Sequence, residues 1–348
     1  TTEQAADMDP TETALDLIDY PEQLRGQTIH AAIQTGVIEC LADGPRTKSA
    51  IARDLDVDPT ALHRLLRALS AYGVLEDDGD ERYTLTPVGE RFLADHPDSV
   101  RDLALYFYHP ARFAAIRHLP AIVENGGPTG YEVEFGRDLF DYCDRHPEFA
   151  KYFNGFQDRM NTFGRTEQLL EAMDGIDFST VSSVCDIGGG YGILCCHLVR
   201  KHSHLEGTVL ELPSVLQDED QLWAPKLGVA ERCRYVPGDM FESIPETDAY
   251  LLKDVLHDWP DEECIQILSN ANAAAPPDGR LYVIERPIPE ANPEAAIVDM
   301  DMVMMVETGG RERTSGEYQD LCDAAGWTID EVLGVPQTPL AIMSCSKA

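Results

Sequence analysis

The sequence predicts an α/β protein in two parts: a mainly helical N-terminal region, then a region built on a largely parallel seven-stranded sheet with helices on both faces. Three observations carry this expectation. Short apolar runs alternate with helical stretches from residue 181 onward; the last two runs follow one another without a helix between them; and residues 11 to about 105 place apolar side chains at helical spacing. At 348 residues the chain has room for about two domains, each able to bury an ordinary core.

In the first part, Leu24, Ile29, Ala32, Ile33 and Val37 recur at helical spacing, Gly44-Pro45 interrupts, and 49–55 resumes the pattern. Asp58-Pro59 reads as the cap and first position of a helix through Leu62, Leu65, Leu66 and Leu69. After Gly73, residues 74–76 and 83–85 read as two short strands around an acidic turn at 77–80. Helix, turn, helix and two-stranded wing together resemble a winged helix. Between residues 45 and 100 there are seven basic and eleven acidic residues, and the helix that would read DNA offers only Arg64 and Arg67. A DNA reader carries a basic stripe. The expected role is therefore scaffolding or dimerisation, with no nucleic-acid partner.

Residues 106–175 are rich in aromatics, and Asn125-Gly126-Gly127-Pro128 marks a loop between helical patterns, so the segment reads as a helical linker. The strands that follow are expected at 181–187, 207–212, 234–236, 249–255, 281–285, 328–335 and 340–345. Helices are expected at 193–202, 215–227, 262–275 and 317–325, and the last two strands should close the sheet as an antiparallel hairpin. The domain boundaries that follow are 1–105, 106–175 and 176–348.

Charge narrows the partners. With 27 Lys+Arg against 62 Asp+Glu, the formal net charge is −35, a surface that repels nucleic acid and anionic lipid. The acids are spread along the chain and the cations are 21 Arg against 6 Lys, a pattern that fits a halophilic protein hydrated in concentrated salt. The nine cysteines show neither Cys-x-x-Cys nor a Cys/His cluster, and read as buried thiols of a reducing cytoplasm. Residues Thr1 to Asp9 lack a secretory pattern and no apolar run reaches ~18 residues, so a cytosolic protein without membrane partners is expected.

The most informative segment runs from Val184 through Asp186 and Ile187 into Gly188-Gly189-Gly190-Tyr191-Gly192, a strand ending in glycines before a helix. Such glycines let a ligand approach the backbone at the carboxyl edge of the sheet. Ile193 stands where the dinucleotide fingerprint needs Gly or Ala, and no Gly-Lys-Ser/Thr follows, so NAD and P-loop readings fit badly. Asp186 suits a cofactor bearing an ammonium group. Glu211, with Leu212 beside it, ends the next strand near the ~20-residue spacing of a ribose-binding acid. Asp239 follows the third strand, placed to accept from an adenine amino group that Met240 and Phe241 would flank. S-adenosylmethionine has an amino-acid tail, a sulfonium and no phosphate, which matches this set.

With Leu252-Lys253-Asp254-Val255-Leu256-His257-Asp258-Trp259-Pro260-Asp261-Glu262, the sequence resembles class I S-adenosylmethionine-dependent O-methyltransferases of the caffeic-acid and polyketide-tailoring type, over nearly its whole length. The resemblance implies a Rossmann-like seven-stranded methyltransferase sheet, an N-terminal winged-helix-like dimerisation domain and a homodimer. It also implies that Gly188, Glu211, Asp239, Met240 and Lys253 contact the cofactor, that His257 is the general base, and that Glu285 and Glu312 are its acidic partners. Glu211 departs from the Asp common in the plant enzymes, and the segment after Met160 does not align cleanly with them.

The chemistry explains those residue types. A phenol with pKa near ~10 is a weak nucleophile at neutral pH, and a histidine with pKa near ~6.5 can take its proton as the C–O bond forms. A carboxylate on the second ring nitrogen fixes the tautomer and stabilises the imidazolium. No metal is needed in this scheme. For the acceptor, a small hydroxylated molecule of aromatic or polyketide-like kind, the candidates are Phe156, Met160, Asp258, Met302 and Met305, the last two in a methionine-dense stretch at 299–306. The product would be S-adenosylhomocysteine. The same fold running hydroxylation or methylation at N or C, and a non-enzymatic winged-helix regulator that senses the cofactor, stay open as alternatives.

Overall fold

A computed structural model describes residue 17 and residues 20–162 and 165–348. The expectations for Thr1 to Asp9 and for helix over 11–16 lie outside the described residues. The chain divides into two compact units, 1–112 and 113–348.

In the first unit the helices are α1 (Tyr20–Gln34), α2 (Val37–Cys40), α3 (Lys48–Leu55), α4 (Pro59–Ala71), α5 (Pro87–Glu90) and α6 (Arg101–Phe107). Helix α4 forms where the sequence places it because Asp58 accepts from the Ala61 amide at 2.7 Å and Pro59 occupies the first turn, where its missing N–H costs nothing. Leu62, Leu66 and Leu69 lie on one face and are buried. Each such leucine contributes roughly 1.5–3 kcal/mol relative to exposure. The wing comprises β2 (Leu75–Asp77) and β3 (Arg82–Leu85), antiparallel, with a third strand absent from the sequence expectation, β1 (Arg46–Thr47), on the far side of β3. Two residues are too few to show alternation, which is why β1 gives no sequence signal.

Helix α7 (Pro110–Ile116) spans the division between the units. The second unit continues with α8 (Leu119–Asn125), α9 (Gly130–Phe135), α10 (Leu139–Arg145), α11 (Pro147–Thr162) and α12 (Arg165–Ala172), and then enters the sheet. Its strands are β4 (Ser183–Ile187), β5 (Glu206–Glu211), β6 (Cys233–Pro237), β7 (Ala249–Lys253), β8 (Arg280–Glu285), β9 (Trp327–Gly334) and β10 (Ala341–Lys347), in the order β6-β5-β4-β7-β8-β10-β9. The first five are parallel, and β10 runs antiparallel to both β8 and β9. The expected closing hairpin is thus present. The chain runs outward from β4 to β6 and returns to β7, so the order reverses between β4 and β7, where open sheets of this kind bind ligands.

Both faces of the sheet are covered, as a parallel sheet requires. Val184, Leu251, Tyr282 and Ile284 face a core with Leu194 and Leu198 of α13 (Ile193–Lys201). Alternate residues Cys185, Tyr250, Leu252, Leu281 and Val283 face a second core. In that second core lie Cys264, Ile267 and Leu268, and also Trp327, whose indole N–H donates to the Leu268 carbonyl at 2.9 Å. Cys195, Cys196 and Cys233 pack together, with the Sγ of Cys233 3.7 and 3.5 Å from the other two.

The single helix expected over 215–227 is a correction. The structure has two short 3-10 turns, Val215–Gln217 and Glu219–Gln221, and a four-residue helix, α14 (Trp223–Lys226). Pro225 lacks the N–H that a helix interior needs, and three consecutive acids at 218–220 disfavour a regular turn there. The remaining helices are α15 (Asp261–Ala274), α16 (Ala295–Glu307) and α17 (Ser315–Ala324), the last opened by a capping box between Thr314 and Glu317. Among the described residues no helix is long and apolar enough to cross a membrane.

Candidate active site

A cavity of about 390 Å³ opens at the carboxyl rim of β4 to β7. Its floor is the glycine turn after β4. Gly188 and Gly190 have φ of 66° and 57°, left-handed values that other residues adopt at a cost. A Cβ on Gly189 would stand 2.7 Å from the Asp186 Cγ, so the missing side chain lets the loop fold over that carboxyl. Burial pushes the Asp186 carboxyl up to about 7, against the pull of Lys253 and of the Cys195 amide that it accepts from at the start of α13.

The other two rim acids are held by neighbouring main chain. Glu211 accepts from the Gly190 amide at 2.8 Å and the Leu212 amide at 2.7 Å; burial raises its pKa and those two amides oppose the rise. Asp239 accepts from the Phe241 amide at 2.8 Å, and Asn270 on α15 donates to the carbonyls of Met240 and Phe241 at 2.9 and 3.0 Å. Phe241 meets Trp259 edge-on at 4.8 Å, and Trp259 stacks on Phe140 at 5.1 Å, giving the cavity an aromatic wall. All nine residues expected to contact the cofactor line this one cavity: Asp186, Gly188, Gly190, Glu211, Leu212, Asp239, Met240, Phe241 and Lys253.

The second half of the rim is built from charged side chains. Strand β7 delivers Lys253, whose Nζ donates to Asn161 Oδ1 at 2.6 Å and pairs with Asp254. Asp254 takes a left-handed φ of 51° and meets Arg286 at 2.8 Å. Burial would raise the Asp254 pKa, but Arg286 and Lys253 prevail and hold it well below the usual carboxylate range. One 3-10 turn, Leu256–Asp258, then carries His257, which is 4% exposed.

Around the imidazole, Nδ1 lies 3.0 Å from Glu312 Oε1 and 3.8 Å from Glu285 Oε2, while Nε2 lies 3.9 Å from Asp258 Oδ1. Glu285 is itself fixed by the amides of Val255 and Leu256, at 3.1 and 2.8 Å on its other oxygen. Burial opposes the charged imidazolium, but Glu285, Asp258 and Glu312 outweigh it and push the His257 pKa up to about 10. Burial in turn pushes Glu285 up to about 7 and Asp258 up to about 6, each against the pull of His257. Nδ1–H directed at Glu312 leaves Nε2 as the ring nitrogen able to accept another proton.

The main chain of the His257 turn is clamped from the segment after α16. Arg313 is wholly buried and donates to the carbonyls of Leu256 at 2.9 Å and Trp259 at 2.7 Å, and to Asp261 at 2.7 Å. A Cβ on Gly310 would stand 2.0 Å from the His257 carbonyl oxygen, so only glycine lets the two loops touch. The Glu312 amide donates to Asp301 of α16 at 2.9 Å, which aims its carboxylate at the imidazole.

Of the acceptor candidates, Asp258 lines the cavity and the other four do not. Phe156 is buried and Met160 partly buried on α11, whose lining residues are instead Ala150, Phe153, Asn154, Gln157, Asp158 and Asn161, a stripe on another face of the same helix. On α16, Met302 is 40% exposed and Met305 partly buried, while Met304 is the core residue of the methionine stretch. Periodicity finds a helix but does not say which face meets the ligand. Sequence reasoning also missed Asp254 and Arg286, although both stand next to residues it named. Asp254, His257 and Glu285 bring one donor atom each within 4.8 Å of one another, a spacing a metal ion could use. In this cluster the Arg286 guanidinium already supplies the positive charge beside Asp254.

Residues 116–328 match the family model described as the O-methyltransferase domain, and residues 22–95 match the O-methyltransferase dimerisation domain. The chain is 33% identical over 328 residues to mitomycin biosynthesis 6-O-methyltransferase of Streptomyces lavendulae, covering 93% of this chain and 91% of that protein. Among solved structures it is similar to LaPhzM, with a TM-score of 0.88 and 29% identity over 98% of this chain and 100% of that one. It is also similar to human N-acetylserotonin methyltransferase in complex with S-adenosylmethionine, with a TM-score of 0.81 and 25% identity over 98% and 99% of the two chains.

Proposed function

The chain belongs to the O-methyltransferase family, S-adenosylmethionine-dependent enzymes of aromatic and polyketide tailoring, and from that premise we propose that it methylates a hydroxyl of a small aromatic or polyketide-like acceptor with His257 as general base and no metal. The observation that carries this reading is the His257 imidazole, held on Nδ1 by Glu312 at 3.0 Å beside a cavity edged with carboxylates.

Three rim acids suit a ligand that brings an amino group, a ribose and an adenine but no phosphate: Asp186 for the ammonium, Glu211 for the ribose hydroxyls and Asp239 for the adenine amine, with Met240 and Phe241 against the ring. Bound there, S-adenosylmethionine supplies the methyl group and a positive sulfur. His257 draws the hydroxyl proton onto Nε2 as the oxygen attacks in line, and Glu312 and Glu285 stabilise the imidazolium that results. With its pKa pushed up to about 10, His257 must first give up a proton, and a cation bound in the adjoining cavity, which Asp258 lines, favours that loss. Lys253 and Asp254 hold the end of β7 in place through Asn161 and Arg286. Alignment of the two reactants can supply up to roughly 7–11 kcal/mol of the barrier reduction in favourable cases.

The same reading takes the chain as a homodimer through its dimerisation domain, cytosolic, halophilic and without nucleic-acid or membrane partners, with 106–175 as the linker that shapes the acceptor side. The test is calorimetric titration of the chain with S-adenosylmethionine and S-adenosylhomocysteine in molar KCl, followed by mass analysis of a phenol library after incubation with the donor. Binding together with a product heavier by one methyl on oxygen is expected. No heat with either ligand would remove the cofactor assignment, and methylation confined to nitrogen or carbon would replace the reaction.

A further inference from the structure

The residues that α11 turns toward the cavity fan across it in order. With Phe153 as origin, Gln157 stands about 40° round the helix, Asn161 about 80°, Asn154 about 100° and Asp158 about 140°. One edge of this arc belongs to the aromatic wall: Phe153 meets Phe140 edge-on at 6.4 Å, and Phe140 stacks on Trp259 in the turn after His257. The other edge grips the cofactor rim. Asn161 accepts from Lys253 at 2.6 Å, Asp158 accepts from the Trp223 indole N–H at 2.6 Å, and Asn154 meets the Tyr191 hydroxyl of the glycine turn. Gln157 lies between the two edges and is tied to neither. It lines the cavity, partly buried, and its amide has no hydrogen-bond partner among the described residues. An amide gains nothing from facing phenyl rings, so this one suits a polar atom on the ligand.

We propose that Gln157 is a specificity-determining residue of the acceptor site, its Nε2–H donating to a carbonyl oxygen on the acceptor, so that hydroxylated aryl ketones and quinones are the preferred class. The inference rests on the reading of this cavity as the methyl-transfer site. Its chemistry follows from what the rest of the wall offers. Asp138, Asp141 and Asp144 flank Phe140 along α10, and Asp258 precedes Trp259; all four line the cavity and, when ionised, only accept hydrogen bonds. Hydroxyls and amines of an acceptor therefore find partners on several sides, and an acceptor carboxylate meets like charge. A carbonyl carries no charge and needs a donor. Lys253, the one cation among the described lining residues, is held by Asn161 and Asp254, whereas the Gln157 amide is uncommitted. An acceptor lacking the oxygen leaves that amide covered and unpaired, which is how a hydrogen-bonding site turns away an analogue.

The test compares matched pairs, the three isomeric hydroxyacetophenones against the three ethylphenols, which exchange C=O for CH2 and sample three placements of the oxygen. Each is titrated by calorimetry into the S-adenosylhomocysteine complex of the full chain, of Gln157→Met and of Gln157→Glu. The first substitution keeps an unbranched chain of similar length without a polar group; the second keeps the shape and, when ionised, removes the donor. The unmodified chain is expected to bind at least one hydroxyacetophenone about tenfold more tightly than its ethylphenol partner, as for one ordinary hydrogen bond. In both variants that ratio should fall to within about twofold, with affinity for S-adenosylhomocysteine unchanged within the same margin. A ratio near one in the unmodified chain overturns the proposal. So does a ratio that Gln157→Met leaves as it was, even with a lower melting temperature, since that marks a purely structural glutamine. Phenols that bind without a carbonyl preference remove this inference alone, whereas no heat from any phenol on the S-adenosylhomocysteine complex removes the acceptor reading of the cavity as well.

Discussion

The two halves of the rim solve the same problem, buried negative charge, in different ways. On the glycine side each acid is satisfied by main chain close at hand: Glu211 by Leu212 and Gly190, Asp239 by Phe241. On the imidazole side, side chains satisfy one another across long separations, His257 with Glu312 and Glu285, and Arg286 with Asp254. The first arrangement gives independent positions whose substitutions should add. The second gives a coupled unit in which a proton belongs to the cluster rather than to one residue, so substitutions there should not add.

The sharpest way to break this contrast is His257→Ala. Turnover should fall by roughly 10²–10⁴ with donor affinity nearly unchanged, the range of general-base loss. Unaltered turnover in a steady-state assay would take His257 out of the mechanism. Glu312→Gln should lower turnover less, by roughly tenfold to a hundredfold, and combined with Glu285→Gln the loss should differ from the product of the two single losses. Independent effects in that double-mutant cycle would dissolve the coupled unit. On the glycine side, Glu211→Ala should weaken S-adenosylhomocysteine binding by about tenfold, the worth of one charged hydrogen bond, while turnover at saturating donor changes little. A calorimetric Kd equal to that of the unmodified chain would deny it a ligand contact. Met302→Ala should be the smallest effect: at 40% exposure and away from the cavity, it should change folding stability by no more than about 0.5 kcal/mol and leave turnover alone.

The coupled half also predicts a pH dependence of folding. The His257 pKa is raised from 6.5 to about 10, so its contribution to stability is complete below pH 6.5 and is lost as pH rises through 10. Glu285 and Asp258, raised to about 7 and about 6, act in the same direction at lower pH, while Asp254, held low by Arg286 and Lys253, loses its contribution only in strong acid. Urea denaturation of the unmodified chain should show stability declining between pH 6.5 and 10, and His257→Gln should flatten that decline. Parallel curves for the two chains would refute the charge assignment.

How much of this was legible follows the same division. The strand that runs into Gly188, the acids at the ends of three successive strands and the closing hairpin are local or periodic signals, and the sequence carries them openly. The 3-10 turns at 215–221, the two-residue β1 and the lining stripe on α11 depend on tertiary packing and leave no period to read. Arg286 and Asp254 stood beside named residues, yet their pairing joins the ends of β7 and β8 and exists only in the folded sheet. Gly310 was legible as a glycine, but its reason, the 2.0 Å approach to the His257 carbonyl, belongs to contact between two loops.

Two of the chain's three tryptophans, Trp327 and Trp259, are placed so that they form an optical instrument. Trp327 is sealed in the core with its indole N–H donating to Leu268, so its emission should be blue and indifferent to ligands, and should report on global melting alone. Trp259 stacks on Phe140 in the cavity wall, where an adenine ring would alter its quenching. Occupancy and unfolding can therefore be followed in one cuvette, at two wavelengths, without a dye or a label.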